Sequence, residues 1–210
     1  MYLSKLVLNS RNRRVIKEIN SPYEMHRTIS KAFYSEDSLP GNRILFRVEP
    51  GNARAVTLII QSQVMPQWSK LTVENDYFYG DDIPQTKKVE LKIIEGLNLL
   101  FRLRANPTKR EKVSRKRIGI YSEEELLNWI IRKGEENGFS VSSVNIAKEP
   151  KVKTGVKGQE IKHFAEFNSV LFTGNLLVTN AGLFIDAINN GIGSAKGFGF
   201  GLLSIALREQ

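Results

Sequence analysis

The chain has 210 residues, room for one large domain or two of about 100 residues each. Its 41% hydrophobic and 25% charged content is that of a soluble globular protein, and 31 lysines and arginines against 22 acidic residues leave a net charge of +9 that favours a polyanionic partner, above all nucleic acid. Zero cysteines exclude disulfides, zinc–thiolate sites and thiol nucleophiles, and no apolar run approaches the roughly 20 residues of a membrane span, so a reducing cytoplasm and no membrane partner are expected.

Residues 1–8 are apolar nearly throughout and predict a buried strand, too short for a signal peptide and halted by Asn9-Ser10. A basic segment follows with Arg11, Arg13, Arg14 and Lys17. A helix is then predicted from Ser21 to about residue 34. Ser21 can cap it, Pro22 suits its first turn, and Glu24 completes an S-x-x-E box. Met25, Ile29, Ala32 and Phe33 recur at i, i+4, i+7 and i+8 as one apolar stripe. At about 100° per residue His26 falls on the edge of that stripe. Tyr23 and Ser30 flank it on the side leading to solvent, and Arg27 lies one turn beyond Tyr23. An imidazole, a phenol, a hydroxyl and a guanidinium on one rim make either a satisfied structural cluster or an active site.

Turns at Pro40-Gly41-Asn42 and Pro50-Gly51-Asn52 bracket a strand at 44–48, and a third strand spans 55–61. A short element starts at Pro66, an aromatic loop holds Tyr77, Phe78 and Tyr79, and residues 99–104 alternate apolar and basic as a half-buried strand with one cationic face. Residues 106–117 are a polar loop with six basic residues in the last nine. A short strand ends at Gly119-Ile120-Tyr121. Ser122 and Glu125 form a second S-x-x-E box that opens a helix through Leu126, Leu127, Trp129, Ile130 and Ile131, stopped by Lys133-Gly134. Strands at 140–146 and 162–172 are joined by a basic loop with Lys148, Lys151, Lys153 and Lys157. A strand at 175–179, a helix at 181–188 closed by Asn189-Asn190-Gly191, and a strand at 198–206 complete the chain. The order β-α-β-β-α-β occurs twice. The expected fold is α+β with two tandem ferredoxin-like domains, 1–108 carrying the His26 helix and 109–210 carrying the basic loop and a Gly-rich loop.

That last loop, Gly191-Ile192-Gly193-Ser194-Ala195-Lys196-Gly197-Phe198-Gly199-Phe200-Gly201, is not a dinucleotide fingerprint. Lys196 sits where the pattern needs glycine, and the cluster follows a helix where the fingerprint follows a strand. Its bare backbone N–H groups, with Lys196, suit close approach to phosphates. A catalytic metal is not expected: the two histidines, His26 and His163, stand far apart, His163 reads as structural, and Asp81-Asp82 reads as turn chemistry.

The segments Tyr2-Leu3-Ser4-Lys5-Leu6-Val7-Leu8-Asn9, Pro22-Tyr23-Glu24-Met25-His26-Arg27, Phe101-Arg102-Leu103-Arg104-Ala105-Asn106-Pro107-Thr108-Lys109-Arg110 and 191–204 together resemble the CasE family of the RAMP superfamily, the CRISPR RNA-processing endoribonucleases of type I-E Cascade complexes. The resemblance implies two ferredoxin-like domains, a cytoplasmic location and a monomer when free. It also implies cleavage at the base of a CRISPR repeat stem-loop without metal or cofactor, and retention of the product among other Cascade subunits. Tyr23 and His26 fall on the family's catalytic pair, Gly193, Gly197, Gly199 and Gly201 on its Gly-rich loop, and 148–157 on its stem-binding loop. The chemistry agrees. RNA can be cut by its own 2′-OH, so the protein need only move protons and stabilise charge. Histidine, near 6.5, suits proton work as base or acid, while tyrosine, near 10, stays a donor that orients the phosphate or assists the second proton. Arg27 and Lys31 are candidates for phosphate charge, and Arg102, Arg104, Lys109, Arg110, Lys148, Lys151, Lys153, Lys157 and Lys196 for the RNA-binding surface. The competing expectation is a catalytically silent RNA-binding subunit.

Overall fold

A computed structural model describes residues 1–33, 43–80, 83–113, 115–155 and 164–207; Pro40-Gly41-Asn42, Asp81-Asp82, Lys157 and His163 lie outside the described residues. The chain divides into two compact units: Met1–Glu90 with Lys153–Ala165 and Gly197–Gly199, and Leu91–Val152 with Glu166–Lys196 and Phe200–Gln210. Both are α+β and ferredoxin-like.

In the first unit the strands are β1 (Tyr2–Asn9), β2 (Ile44–Glu49), β3 (Ala55–Ser62) and β4 (Gln85–Lys88), all antiparallel in the order β2-β3-β1-β4. Leu6 pairs with Leu58 and Phe46 with Ile60, so large apolar side chains share one face. Two helices, α1 (Arg13–Asn20) and α2 (Pro22–Ser30), cover that face. Leu6, Leu8, Phe46, Leu58 and Ile60 pack with Val15, Met25, Ile29, Ala32, Phe33 and Tyr77, and the predicted stripe on α2 is buried throughout. Between β3 and β4 a ferredoxin-like fold would carry a second helix; here there is a short 3₁₀ turn (Trp68–Lys70).

The fourth strand corrects the sequence reading. It is the polar β4, and residues 99–104 belong to the second unit as β5 (Asn98–Ala105). Strand β5 is central there, paired with β11 (Val170–Val178) on one side and β12 (Leu203–Leu207) on the other. The order is β12-β5-β11-β8, with β8 spanning Phe139–Lys148. A central strand needs two neighbours, and Phe101, Leu103 and Ala105 find their core with Phe139, Phe172 and Leu176. The second ferredoxin-like repeat therefore opens at β5, and the boundary between units falls after Glu90. Residues 117–119 form β7 (Arg117–Gly119), which pairs with β6 (Thr108–Arg110) in an inserted hairpin. A second inserted pair, β9 (Val152–Gly155) with β10 (Phe164–Phe167), interrupts what the pattern predicted as one strand, while β11 continues unbroken through residues 170–178.

Helix α3 (Glu123–Glu136) and helix α4 (Ala181–Asn190) pack on this sheet through Leu126, Trp129, Ile130, Phe184 and Ile188. Ser122 caps α3 as expected, accepting the Glu125 N–H at 3.3 Å. Gly134 does not stop the helix. A Cβ there would stand 2.6 Å from the Phe139 carbonyl oxygen, so glycine lets the strand pass close, and the chain turns at Gly138 with φ +75°.

Candidate active site

Asn12 caps α1 by accepting the N–H groups of Arg14 (2.9 Å) and Val15 (3.1 Å), which makes the basic segment a helix. Ser21 closes α1 and opens α2 at once. Its N–H donates to Glu18 O (3.2 Å), its carbonyl accepts from Glu24 N (2.8 Å) and Met25 N (3.2 Å), and its side chain caps nothing. With the Ser21 N–H already used, Glu24 turns forward to Arg27 at 2.7 Å, and the predicted capping box is absent. Helix α2 ends at Ser30, and i→i+3 bonds tighten residues 31–33 into a turn.

His26 is half-buried on α2. Its Nδ1 lies 3.3 Å from Ser30 Oγ, and its ring stands 6.2 Å from the Phe46 ring at 42°. Burial holds the imidazole below its usual 6.5. The backbone of Gly197 lies along the opposite edge, where an added Cβ would meet Cδ2 at 3.9 Å and Nε2 at 4.0 Å. Gly199, with φ +82°, sits against Phe46, where a Cβ would stand 3.2 Å from the ring. The structure thus places Gly197 beside His26 and Gly199 on the Phe46 ring that borders it. Tyr23 is half-buried one turn before His26, and its hydroxyl has no hydrogen-bond partner among the described residues. Lys31 is exposed immediately after the helix, and Arg27 is exposed but tied to Glu24.

Behind this rim lies a buried network that the sequence did not signal. The Glu18 carboxylate, 3% exposed, accepts from Arg14 Nε (2.9 Å), Thr28 Oγ1 (2.6 Å) and the Tyr77 hydroxyl (2.6 Å). Burial pushes the Tyr77 phenol well up, so it stays a donor. The network joins α1, α2 and the aromatic loop two residues from His26.

The second unit sorts the predicted basic residues. Arg104 grips Glu149 with two nitrogens at 2.7 and 2.8 Å, Lys109 is held by Glu125, and Lys151 pairs with Glu166 at 3.1 Å while lying 5.4 Å from the Tyr121 ring centre. Arg110, Lys148 and Lys153 are exposed, and Arg102 is half-buried on β5 opposite Thr173 and Ser204. A cavity of about 820 Å³ gathers Arg110, Arg117, Arg132, Lys133 and Lys196, with Gly193 over Trp129. The α3 cations Arg132 and Lys133 were missed because a helix ending in mixed charge reads as a solvated face. Asn106 was also missed: its carbonyl oxygen accepts from Ser194 Oγ at 3.2 Å, and its side-chain oxygen accepts from Asn168 N at 3.0 Å, which fixes the start of the Gly-rich loop. Gly201 closes that loop. Its carbonyl accepts the Ile192 N–H at 2.9 Å and its N–H donates to Arg104 O at 2.8 Å, with φ +87°.

Comparison with known proteins follows the same geometry. A family model described as CRISPR associated protein matches residues 1–206. The chain is 34% identical to the CRISPR-associated endoribonuclease Cse3 of Thermus thermophilus, over 98% of this chain and 100% of that one. It is 30% identical to the Cascade subunit CasE of Escherichia coli, over 98% and 99%. The solved structure of CRISPR endoribonuclease Cse3 bound to a 19-nucleotide RNA superposes with a TM-score of 0.87 at 31% identity, covering 98% of this chain and 100% of that one.

Proposed function

We propose that this chain, which belongs to the CRISPR-associated protein family as a CasE-type member, is an endoribonuclease that cuts CRISPR repeat RNA at the base of its stem-loop without a metal. The observation that carries the reading is the His26 imidazole, half-buried and held below its usual 6.5 by that burial, with Nδ1 on Ser30, its Nε2 edge along Gly197 and the Tyr23 phenol one turn away. The reaction needs one bond made and one broken. The 2′-oxygen closes on the adjacent phosphorus, the bond to the 5′-oxygen opens, the 2′-OH gives up a proton and the 5′-oxygen gains one. A 2′,3′-cyclic phosphate and a 5′-OH remain. His26 and Tyr23 supply proton transfer and hydrogen bonds to the phosphate, and Arg27 and Lys31 offer nearby positive charge. Among the described residues no three His, Cys, Asp or Glu side chains gather as metal ligands, so the reading assigns the transition-state charge to these groups. Cleavage is expected to proceed in excess EDTA with an upstream fragment ending in a cyclic phosphate. A 3′-OH paired with a 5′-phosphate, restored only by Mg²⁺, would overturn it.

The cationic cavity supports a binding role for the second unit. Arg110, Arg117 and Arg132 there, with the exposed Lys148 and Lys151 of the same unit, suit backbone contacts to a duplex stem whose deep groove side chains do not read. Neutralising Arg110, Arg117 and Arg132 with glutamine is expected to flatten log K against log salt by about 0.7–0.9 per lost phosphate contact. An unchanged slope would move the grip elsewhere. The Cascade subunit among the relatives supports retention of the cut RNA within such an assembly.

A further inference from the structure

We propose that Ser30 is a positioning residue that holds the resting His26 imidazole in a single tautomer, with Nδ1 accepting the serine hydroxyl and Nε2 carrying its proton toward Gly197. This rests on the reading of His26 as part of the active site. Ser30 is 5% exposed, and the one hydrogen-bond partner of its Oγ among the described residues is His26 Nδ1 at 3.3 Å, one helical turn back. Two arrangements fit that distance. If Nδ1 carried the proton it would donate to Oγ, and the serine's own hydroxyl hydrogen would be left inside the protein with no acceptor, a state buried hydroxyls avoid. If the serine donates, both groups are satisfied. The second arrangement leaves the proton on Nε2.

The surroundings agree. Glu24, on the same helix, is engaged by Arg27 at 2.7 Å, and among the described residues no carboxylate is bonded to His26 Nδ1 to favour imidazolium. Burial of the ring likewise disfavours the charged form. The Nε2 edge faces Gly197, where an added methyl would stand 4.0 Å from the nitrogen, in ordinary van der Waals contact. A neutral imidazole presenting Nε2–H is a preorganised donor to a non-bridging phosphate oxygen, which matches charge growing on that oxygen as the 2′-oxygen attacks. The fold therefore sets His26 at rest as donor and not as proton acceptor at Nε2.

The test uses nitrogen NMR on the full chain. The protein has two histidines, so His163→Asn leaves a single imidazole to observe. Above its titration, the free protein should show a pyrrole-like Nε2 and a pyridine-like Nδ1. Ser30→Ala should move both signals toward the exchange average of two tautomers and slow single-turnover RNA cleavage on the order of tenfold, with RNA affinity unchanged within twofold. Ser30→Thr, which returns the hydroxyl, should restore the nitrogen pattern and most of the rate. A helix-packing role alone would lower thermal stability without touching the tautomer. A pyridine-like Nε2 in the wild type, or wild-type nitrogen shifts in Ser30→Ala, would overturn the proposal. Because the shifts are read without RNA, they separate this inference from the active-site reading, which fails if cleavage survives the loss of His26 or falls only as far as RNA affinity does.

Discussion

Replacing His26 with alanine is expected to cut single-turnover cleavage of repeat RNA by about 10²-fold or more while leaving RNA affinity within a few fold. The asymmetry has a physical source. Binding is driven by many phosphate contacts, of which one neutral imidazole is a minor part. A preorganised donor or proton-transfer group at the reacting phosphate contributes roughly 10²–10⁴-fold to the rate. Tyr23→Phe should give a smaller loss, since it removes a hydroxyl and keeps a ring on the same helix. Equal loss of binding and cleavage in His26→Ala would mean that the residue shapes the RNA surface and does not act in the chemical step. Full cleavage would overturn the assignment of His26 to the active site.

The pH dependence has a defined sign. Burial keeps the folded-state imidazole below its usual 6.5. If the neutral ring is the working form, kcat/KM should rise with pH through a window lying below 6.5 and be level above it. Stability follows the same proton. Between the folded value and 6.5 the unfolded chain binds it more readily, so the contribution of His26 to stability is present above 6.5 and declines as pH falls through that window. Comparing wild type and His26→Ala by denaturation at several pH values isolates the slope. A wild-type profile that climbs as pH drops below 6.5 would point to imidazolium as the active form.

How much of this was legible in the chain depends on whether a feature is local. The stripe Met25, Ile29, Ala32, Phe33 is a period of one helix, and all four residues are buried. Most strands and helices of both repeats were visible for the same reason, but α1 read as a basic segment and β4 was not read at all. What failed was choice of partner. Residues 99–104 read correctly as a strand with one cationic face, but nothing in Leu-Leu-Phe-Arg-Leu-Arg tells it to pair with β11 and β12 in place of β1. The strand that does pair with β1, Gln85-Thr86-Lys87-Lys88, is a polar edge with no apolar alternation to find. Ser21 looked like a cap because its neighbours fit the motif, yet the preceding helix already owned its N–H. The final strand was read as starting five residues too early, in the Gly-rich segment, where Gly199 and Gly201 adopt positive φ and only residues 203–207 are extended. The exposed rim was readable from helical spacing, but the Gly197 and Gly199 wall of the site was a matter of tertiary packing alone.

Glu18→Ala is expected to destabilise the first unit by about 3–5 kcal/mol, a cost set by what remains behind. Arg14, Thr28 and Tyr77 all direct donors at this one carboxylate, which is nearly sealed from water. Its removal takes the nearer carboxylate from a guanidinium that keeps Glu74 at 3.7 Å and donates to Thr72 O (3.1 Å) and Thr28 Oγ1 (3.2 Å), and leaves a buried phenol with nothing among the described residues to accept its proton. Helices this short, eight and nine residues, are not stable by propensity and depend on such tertiary ties. For a chain of 210 residues that loss corresponds to a fall of about 6–20 °C in melting temperature. Tyr77→Phe removes one donor and keeps the ring, and should cost about 1–3 kcal/mol. The two variants together should fall short of their sum, because they share the carboxylate. At a temperature where Glu18→Ala is still folded, cleavage should drop more than RNA affinity, since Thr28 ties the network to the turn of α2 that carries His26 and the cationic cavity of the second unit is untouched. Thermal melts and single-turnover assays on the two single variants and the double variant decide it: a Glu18→Ala melting point within a degree or two of wild type would show that the network is dispensable and that α2 is held by its apolar stripe.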